Sequence, residues 1–535
     1  MKRYTAFAVS CMLMCTAFTG CGASDGGNYI ADNNGGNNYN NNNNVSSENG
    51  DSEISDEKNE DFSTVEISPD EEYSEFIETG FKDPNTEPLS TFSADIDTAS
   101  YTNVRRLIED GSEVPENAVR IEEFINYFDY DYPLPDDGRI FSNYVEIADC
   151  PWNENNKLMM IGVQGKVIEE RKPFNLVFLI DSSGSMASYD KLPLVQTAFS
   201  MLAEHLQAED RISIATYSTS TDIVLAGESG ENKDSILSSL YSIKTGGGTN
   251  GEGGIELAYK LAEEYFIEGG NNRVIIATDG DLNIGISEEK ELTDMISEKR
   301  NNGIYLSVLG FGTENYKDNK LEAIADNGDG NYNYIDSVDE AQRVLVQEMG
   351  GTLYTIAKDV KFQVEFNPSQ VGRYRLIGYD NRIMQAEDFR DNTKDAGEMG
   401  SGQSVTVLYE IEPLNSKSTY HGIELEFEHE QPVETNDNGR DEWCKFSVAY
   451  KPEGEAGDIY ESQLFGMEKY NENPSYNIRL AGAVAEFAMI LRNSEYKGSS
   501  DYNYILETLS PMLENENQKI NELYSLVKSS SLLYT

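Results

Sequence analysis

Between residues 174 and 349, short apolar runs alternate with segments in which apolar residues recur every three or four positions. The first pattern predicts strands buried on both faces, and the second predicts amphipathic helices. The predicted strands are 175–181, 211–218, 222–227, 273–279, 304–311 and 332–335. The predicted helices lie near 191–207, 232–242, 253–267, 288–302, 318–327 and 338–348. This alternation is typical of an α/β fold with a mostly parallel sheet and helices on both faces, with the second and third strands as an antiparallel hairpin at one edge.

After Gly350 the apolar residues recur at every second position, which is typical of antiparallel strands with one buried face. These runs lie at 360–366, 405–411, 423–427 and 444–448. The segments 141–148 and 157–165 have the same pattern and no obvious partners upstream. We therefore predict that they pair with the later strands, so that the α/β domain is inserted in an antiparallel β domain. Two independent small sheets are the alternative.

These patterns divide the rest of the chain into regions. Residues 22–88 are rich in Asn and then in acidic residues, with too few apolar side chains to form a core, which predicts a disordered tether. The regions that follow are a flanking region of helices and strands at 89–173, the α/β domain at 174–349, the β domain at 350–465 and a helical region at 466–535.

The N-terminus has the pattern of an export signal. Two basic residues precede a mostly apolar stretch at 4–19 that is short for a transmembrane helix. Residues 18–21 resemble a bacterial lipobox, with Phe18 where Leu is usual. The resemblance implies that residues 1–21 are a lipoprotein signal peptide and that Cys21 is lipidated, which would anchor the chain on the exported side of the cell membrane. An ordinary secretory signal is the alternative.

Charge and cysteines narrow the choice of partners. The 535 residues include 41 Lys and Arg against 95 Asp and Glu, a net charge of −54. Such a charge argues against binding to nucleic acid and against electrostatic docking on anionic lipid.

Two cysteines, Cys150 and Cys444, remain beyond the signal peptide and Cys21. The predicted exported setting is oxidising, so a disulfide between them is one alternative. Two free buried thiols are the other, because the sequence does not give the distance between them.

Polar residues follow two of the predicted buried strands, at the edge where ligands bind in open α/β sheets. Asp181, Ser183 and Ser185 alternate after the first strand, so an extended loop would aim all three side chains at one point. Thr249 follows a run of glycines, and Asp279 ends a later strand. Carboxylates and hydroxyls suit a small hard cation such as Mg²⁺. For the first segment alone, a Ser/Gly turn capping the next helix is the structural alternative.

This set of residues, in this order, resembles the metal-ion-dependent adhesion site (MIDAS) of von Willebrand factor type A (VWA) domains, which have a Rossmann-like fold. The resemblance implies that the three hydroxyls approach the ion and that the two carboxylates bind it directly or through water. Mg²⁺ would fit best and Mn²⁺ could substitute. A sixth position would be left for an Asp or Glu of a protein partner. Asn250 and Asp281 are expected to lie beside the ion or at the surface and not to be ligands.

The flanking segments extend the resemblance. Residues 92–101, 120–128 and 355–535 look like those of a bacterial VWA lipoprotein family whose C-terminal domain has no known function. The leading interpretation is a non-enzymatic module that binds a protein partner at the cell envelope, for adhesion or for assembly of an envelope complex.

Two other functions stay open. A metal-dependent hydrolase would need an acid or base near the ion. The chain has 3 histidines, and none of them, at 205, 421 and 429, is near the site in sequence. In the other alternative, the protein is a structural scaffold of the envelope whose fold the metal stabilises.

Overall fold

The structure is a computed structural model of the 535-residue chain. It describes residues 73, 77–136, 138–168, 170–280, 289–312, 318–348, 351, 353–414, 419–420, 423–424, 440–453, 457–513 and 517–533. The chain divides into two compact units, Met1–Phe62 and Ser63–Thr535. All of the described residues lie in the second unit, so the predicted signal peptide, Cys21 and most of the predicted tether lie outside them.

The strands and helices are numbered in chain order. The strands are β1 Leu89–Ser93, β2 Phe141–Asp149, β3 Lys157–Gly165, β4 Phe174–Asp181, β5 Arg211–Tyr217, β6 Thr221–Ser229, β7 Asn271–Thr278, β8 Ile304–Phe311, β9 Tyr332–Ile335, β10 Thr355–Phe366, β11 Val371–Ile377, β12 Gly397–Gly400, β13 Ser404–Pro413, β14 Thr419–Tyr420, β15 Ile423–Glu424, β16 Glu442–Pro452 and β17 Ile459–Gly466. The helices are α1 Ala99–Glu109, α2 Ile121–Asn126, α3 Leu192–Glu204, α4 Lys233–Ser242, α5 Gly251–Glu264, α6 Glu289–Asn301, α7 Asp318–Asn327, α8 Val338–Gln342, α9 Tyr476–Leu491, α10 Tyr502–Leu509 and α11 Gln518–Leu533. Among the described residues, no helix has both the length and the apolar character needed to cross a membrane.

The central layer is a six-stranded sheet in the order β6-β5-β4-β7-β8-β9. All neighbours are parallel except the β5–β6 hairpin at one edge, as the sequence predicts. Every residue of β4 is buried, because successive side chains point to opposite faces and both faces carry helices. Phe178 packs in a core with α3, α4 and α8, whereas Val177 and Leu179 pack in a core with α5, α6 and α7. The predicted α/β architecture is confirmed.

A sandwich of two antiparallel sheets joins the parts of the chain that precede and follow the α/β domain. One sheet has the order β1-β10-β16-β17, with β12 also on β10, and the other has the order β11-β13-β3-β2. β3 pairs with β13 along its length, from Lys157 opposite Ile411 to Gln164 opposite Ser404. Strands from both sides of the α/β domain therefore share one sheet, and the α/β domain is inserted in the β domain. Of the run predicted at 423–427, Leu425 and Phe427 lie outside the described residues.

A third layer of helices covers the outer face of the sheet that contains β3. Along β3, Met159 and Ile161 face the interior of the sandwich, and Leu158 and Met160 face α1, α2 and α9 to α11. The two cysteines lie on different sides of this sheet. Cys150 is in the helical core and Cys444 is in the sandwich core. Both are free and buried, so of the two alternatives left by the sequence, the structure has unpaired thiols.

Residues 77–88, predicted from the sequence to be part of a disordered tether, instead pack on the sandwich. The reason is a buried arginine, Arg375, which is fully enclosed and needs negative partners. Its guanidinium lies 2.9 Å from Glu410 and 3.5 Å from Glu78. The backbone of Lys82 also pairs with that of Tyr374, with the Lys82 N–H donating to the Tyr374 carbonyl at 2.8 Å. These contacts order the last part of the predicted tether.

A buried carboxyl group on α9 gives a test of this helical layer. Glu486 is 1% exposed and accepts one hydrogen bond from Ser500 Oγ at 3.1 Å. Burial raises the pKa of Glu486 from 4.5 to about 8. Ionised Glu486 therefore destabilises the fold, and stability falls as the pH rises from about 4.5, where the unfolded state loses its proton, to about 8, where the folded state does.

We expect Glu486→Gln to raise the free energy of unfolding by about 3 kcal/mol at pH 7 and to leave it nearly unchanged at pH 4.5. The amide resembles the protonated carboxyl group in size and does not ionise. Urea denaturation at the two pH values measures the difference. The same effect at both pH values would contradict the assignment of a raised pKa to this group.

Candidate metal centre

Two carboxylates meet at the carboxyl edge of the parallel sheet. Asp181 is the last residue of β4, and Asp279 directly follows the end of β7. These strands are parallel neighbours, in register up to Ile180 opposite Ala277. Thr278 Oγ1 donates a hydrogen bond of 3.4 Å to Asp181 Oδ2 across the strand ends. Both carboxylates are 0% exposed, so the sheet register itself brings two buried negative charges close together.

The loop after β4 gathers the two predicted serines. The backbone N–H of Ser183 donates to Asp181 Oδ1 at 2.8 Å, which folds the loop back over the carboxylate. The hydroxyls of Ser183 and Ser185 lie 2.9 Å apart. Ser183 is buried and Ser185 is exposed. Alternate residues of this loop therefore converge, and the loop leads from the buried carboxylate out to solvent.

The glycine-rich loop lies directly beside the serine loop. The Gly246 N–H donates to the Ser182 carbonyl at 2.8 Å, and the Gly184 N–H donates to the Gly247 carbonyl at 3.2 Å. Gly247 has a φ of +87°, which favours glycine, and a Cβ there would lie 2.6 Å from Thr219 Oγ1. These contacts place the half-buried Thr249 next to the serine loop. Its side chain has no hydrogen-bond partner among the described residues.

Of the two further residues expected near the ion or at the surface, Asn250 directly precedes α5. Its side chain accepts a hydrogen bond from the Gly253 N–H at 3.3 Å, so its role here is that of a helix cap. Asp281 lies outside the described residues. The structure thus brings together the segments that carry the five predicted ligands. Direct hydrogen bonds link Ser183 to Asp181 and to Ser185.

The electrostatics of the site suit a cation. Burial, together with the negative charge of Asp279 and against the hydrogen bonds from Ser183, raises the pKa of Asp181 to about 6. The Oδ1 atom of Asp279 is buried and has no hydrogen-bond partner among the described residues. An unpaired buried carboxylate oxygen is costly unless a cation or donor meets it. The available donors are all oxygen atoms, which matches the preference of Mg²⁺ and Mn²⁺.

Lys191 is a site residue that the sequence pattern does not reveal. Its Nζ lies 3.0 Å from Asp279 Oδ2, and its side chain is 3% exposed. Lys191 directly precedes α3, where a lysine usually lies in solvent. Its approach to Asp279 depends on how α3 packs against the sheet, and no local spacing encodes that contact.

A second group of acidic residues lies between the α/β sheet and the sandwich. Carboxylate oxygens of Asp329, Asp395 and Glu398 lie within 4.8 Å of one another. Arg300 contacts Asp329 at 3.1 Å and Asp395 at 2.5 Å, and Lys358 contacts Asp329 at 3.3 Å. Burial, followed by the charge of Asp329, raises the pKa of Glu398 well above its ordinary value. Arg300 and Lys358 offset the charges of Asp329 and Asp395, and burial disfavours the ionised form of Glu398.

Comparison with known proteins gives the family. Family models match residues 175–348 as "von Willebrand factor type A domain", 351–533 as "Uncharacterized protein YfbK, C-terminal" and 67–160 as "von Willebrand factor". The protein described as "Uncharacterized protein YfbK" from Escherichia coli K12 is 39% identical over 443 residues, which cover 81% of this chain and 76% of the relative. The chain belongs to the YfbK family of VWA-domain proteins. The predicted membership of a VWA-domain family is confirmed.

More distant relatives share parts of the chain. Human inter-alpha-trypsin inhibitor heavy chain H4 is 30% identical over 148 residues, 26% of this chain and 16% of the relative. Among solved structures, a von Willebrand factor type A protein from Catenulispora acidiphila matches with 13% identity and a TM-score of 0.39, covering 68% of this chain and 82% of the other. The ArnB paralog VWA2 from Sulfolobus acidocaldarius matches with 15% identity and a TM-score of 0.36, covering 74% and 98%.

Proposed function

We propose that this chain is a lipid-anchored protein on the exported side of the cell envelope whose VWA domain binds a protein partner through a divalent metal ion. The ion, Mg²⁺ or Mn²⁺, is held by Asp181, Ser183, Ser185, Thr249 and Asp279. The partner contributes an Asp or Glu carboxylate. The observation that carries this proposal is the buried and unpaired Oδ1 of Asp279, beside a second buried carboxylate at the same sheet edge.

The charges of the site explain why a cation would be bound. Asp181 and Asp279 are both buried, and the negative charge of Asp279 raises the cost of ionising Asp181. A divalent cation offsets both charges, whereas the neutral hydroxyls supply oxygen ligands without adding charge. A bound ion would supply a positive centre that attracts an incoming carboxylate.

The site is also open to a partner. Gly184 and Ser185 are exposed, so the serine loop forms part of the protein surface. Tyr189, a few residues further on, has 87% of its surface exposed. An aromatic side chain of this kind offers a large apolar contact with a polar tip, which is common at protein interfaces. The arrangement favours a binding surface over an enclosed catalytic pocket.

Co-purification from crosslinked cell envelopes tests the function. We expect partner recovery to fall by at least about tenfold after chelation or in the variant Ser183→Ala/Ser185→Ala, because the ion loses ligands and the partner loses its carboxylate contact. The variant Ser235→Ala on α4 is a matched control, since the Ser235 hydroxyl bonds only Glu228 among the described residues. Equal recovery in all samples, with a lower melting temperature after chelation, would instead support the scaffold interpretation. Metal-dependent turnover of phosphate or ester substrates would support the hydrolase.

The anchor has its own test. Replacing Cys21 with Ser removes the thiol that would be acylated, and we expect the protein to move from the membrane fraction to the soluble exported fraction. Cell fractionation followed by immunoblotting measures the distribution. Retention in the membrane fraction would contradict lipidation at Cys21 while leaving the metal site untouched.

A further inference from the structure

Lys191 is held against the candidate metal centre by the fold. Its ammonium group donates to Asp279 Oδ2 at 3.0 Å and has no other partner among the described residues. Its backbone N–H donates to the Ser188 carbonyl at 3.2 Å, which fixes the turn before α3. Its side-chain stem runs past Gly312, where an added Cβ would lie 2.3 Å from Lys191 Cε. The fold therefore holds the amine of Lys191 in the site, and a side chain at position 312 would clash with the lysine.

This ammonium changes the charge of the site. Asp181 and Asp279 contribute two negative charges, and Lys191 contributes one positive charge, so the described buried groups sum to −1 before an ion binds. A divalent ion brings the sum to +1. Without Lys191 the loaded site would be neutral. A net positive and partly desolvated site attracts an anion much more strongly than a neutral one.

The lysine also leaves one atom of Asp279 for the ion. Oδ2 is taken by the ammonium, and Oδ1 is the buried atom without a partner. The salt bridge therefore orients the carboxylate and exposes a single oxygen to the site. The same positive charge repels the ion, so it lowers metal affinity while it favours an anionic ligand.

We propose that Lys191 is the specificity-determining residue of this site. It makes the loaded centre select an anionic carboxylate over a neutral side chain, at the cost of weaker metal binding. This inference rests on the proposed function. It predicts that removal of Lys191 strengthens metal binding and weakens the preference for a carboxylate. A lysine with a purely structural role would not produce that combination.

The test uses the full chain without its signal peptide, Mn²⁺ alone and two capped peptides, acetyl-Gly-Asp-Gly-amide and acetyl-Gly-Asn-Gly-amide. Calorimetry measures Mn²⁺ affinity, and the paramagnetic relaxation of water protons reports displacement of metal-bound water by each peptide. We expect Lys191→Met to bind Mn²⁺ at least about tenfold more tightly and to lose at least about tenfold of the preference for the Asp peptide. Lys191→Gln provides a second variant should Met disturb folding, as judged by circular dichroism. Asp190→Asn, a neighbour outside the site, is the control.

The outcomes separate the two proposals. Absence of Mn²⁺ binding by the wild-type chain would overturn the proposed function and this inference with it. Normal Mn²⁺ binding by the wild type, with an unchanged peptide preference in both lysine variants, would overturn this inference alone. A change in Mn²⁺ affinity without a change in peptide preference would show that Lys191 only positions Asp279.

Discussion

Replacing Asp181 with Asn is expected to lower Mn²⁺ affinity by at least about a hundredfold, because the site loses one of its two negative charges and a preferred ligand type. The same change should leave the metal-free protein at least as stable as the wild type. Burial raises the pKa of Asp181 to about 6, so its ionised form destabilises the fold at neutral pH. An amide of the same size does not carry that cost. Calorimetry with Mn²⁺ and thermal unfolding in the presence of a chelator measure the two effects.

The opposite signs make the result easy to interpret. A variant that merely unfolded would lose both metal binding and stability. Asp190→Asn is the matched control, because Asp190 is half-buried in the same loop and has no hydrogen bond or ion pair among the described residues. This control variant should change neither the Mn²⁺ affinity nor the stability of the metal-free protein by much. Unaltered Mn²⁺ binding by the Asp181 variant would contradict the proposed metal centre.

The α/β domain could be predicted from the sequence because its signals are local. Each central strand, such as β4, is a continuous apolar run bounded by polar residues, and each surface helix shows its own period. The insertion of this domain in the β domain could also be predicted. Segments 141–148 and 157–165 alternate like antiparallel strands and have no obvious partner strands upstream, so they are expected to pair with the later strands. The edge of the sheet could then be located, because parallel strands end together and carry the polar loops with them.

The parts that were missed depend on contacts between distant residues. β11 contains Arg375, a fully buried charge that faces the helical layer and pairs with Glu410, so the side of this strand that packs on the helices does not look apolar. β17 is an edge strand with mostly exposed residues and lacks a clear alternation. The docking of residues 77–88 depends on that same arginine. Lys191 belongs to this group, because its partner Asp279 is far away in the sequence.

Replacing Arg105 with Met is expected to destabilise the protein by about 3–5 kcal/mol, since it removes the cation that pairs with the buried carboxylate of Asp336. The Arg105 guanidinium, on α1, donates to both carboxylate oxygens of Asp336 at 2.7 and 2.6 Å. It also lies 3.1 Å from Glu340 on α8 and 3.0 Å from Glu522 on α11. One buried side chain thus connects the flanking region, the VWA domain and the C-terminal helices. Urea denaturation, followed by the fluorescence of the two tryptophans, measures the loss.

The neighbouring arginine provides the control for this effect. Arg106 is half-buried on the same helix and hydrogen-bonds Asn103 one turn earlier, at 2.7 Å. Arg106→Met should lower the free energy of unfolding by less than about 1 kcal/mol, because solvent partly screens a contact at a half-buried position. Because the network of Arg105 links three regions, its loss should also separate the unfolding of the C-terminal helices from that of the VWA domain, giving a broader or two-step transition. An equal cost for both arginines, with one sharp transition in each variant, would mean that the regions are held together by apolar packing and not by this charge network.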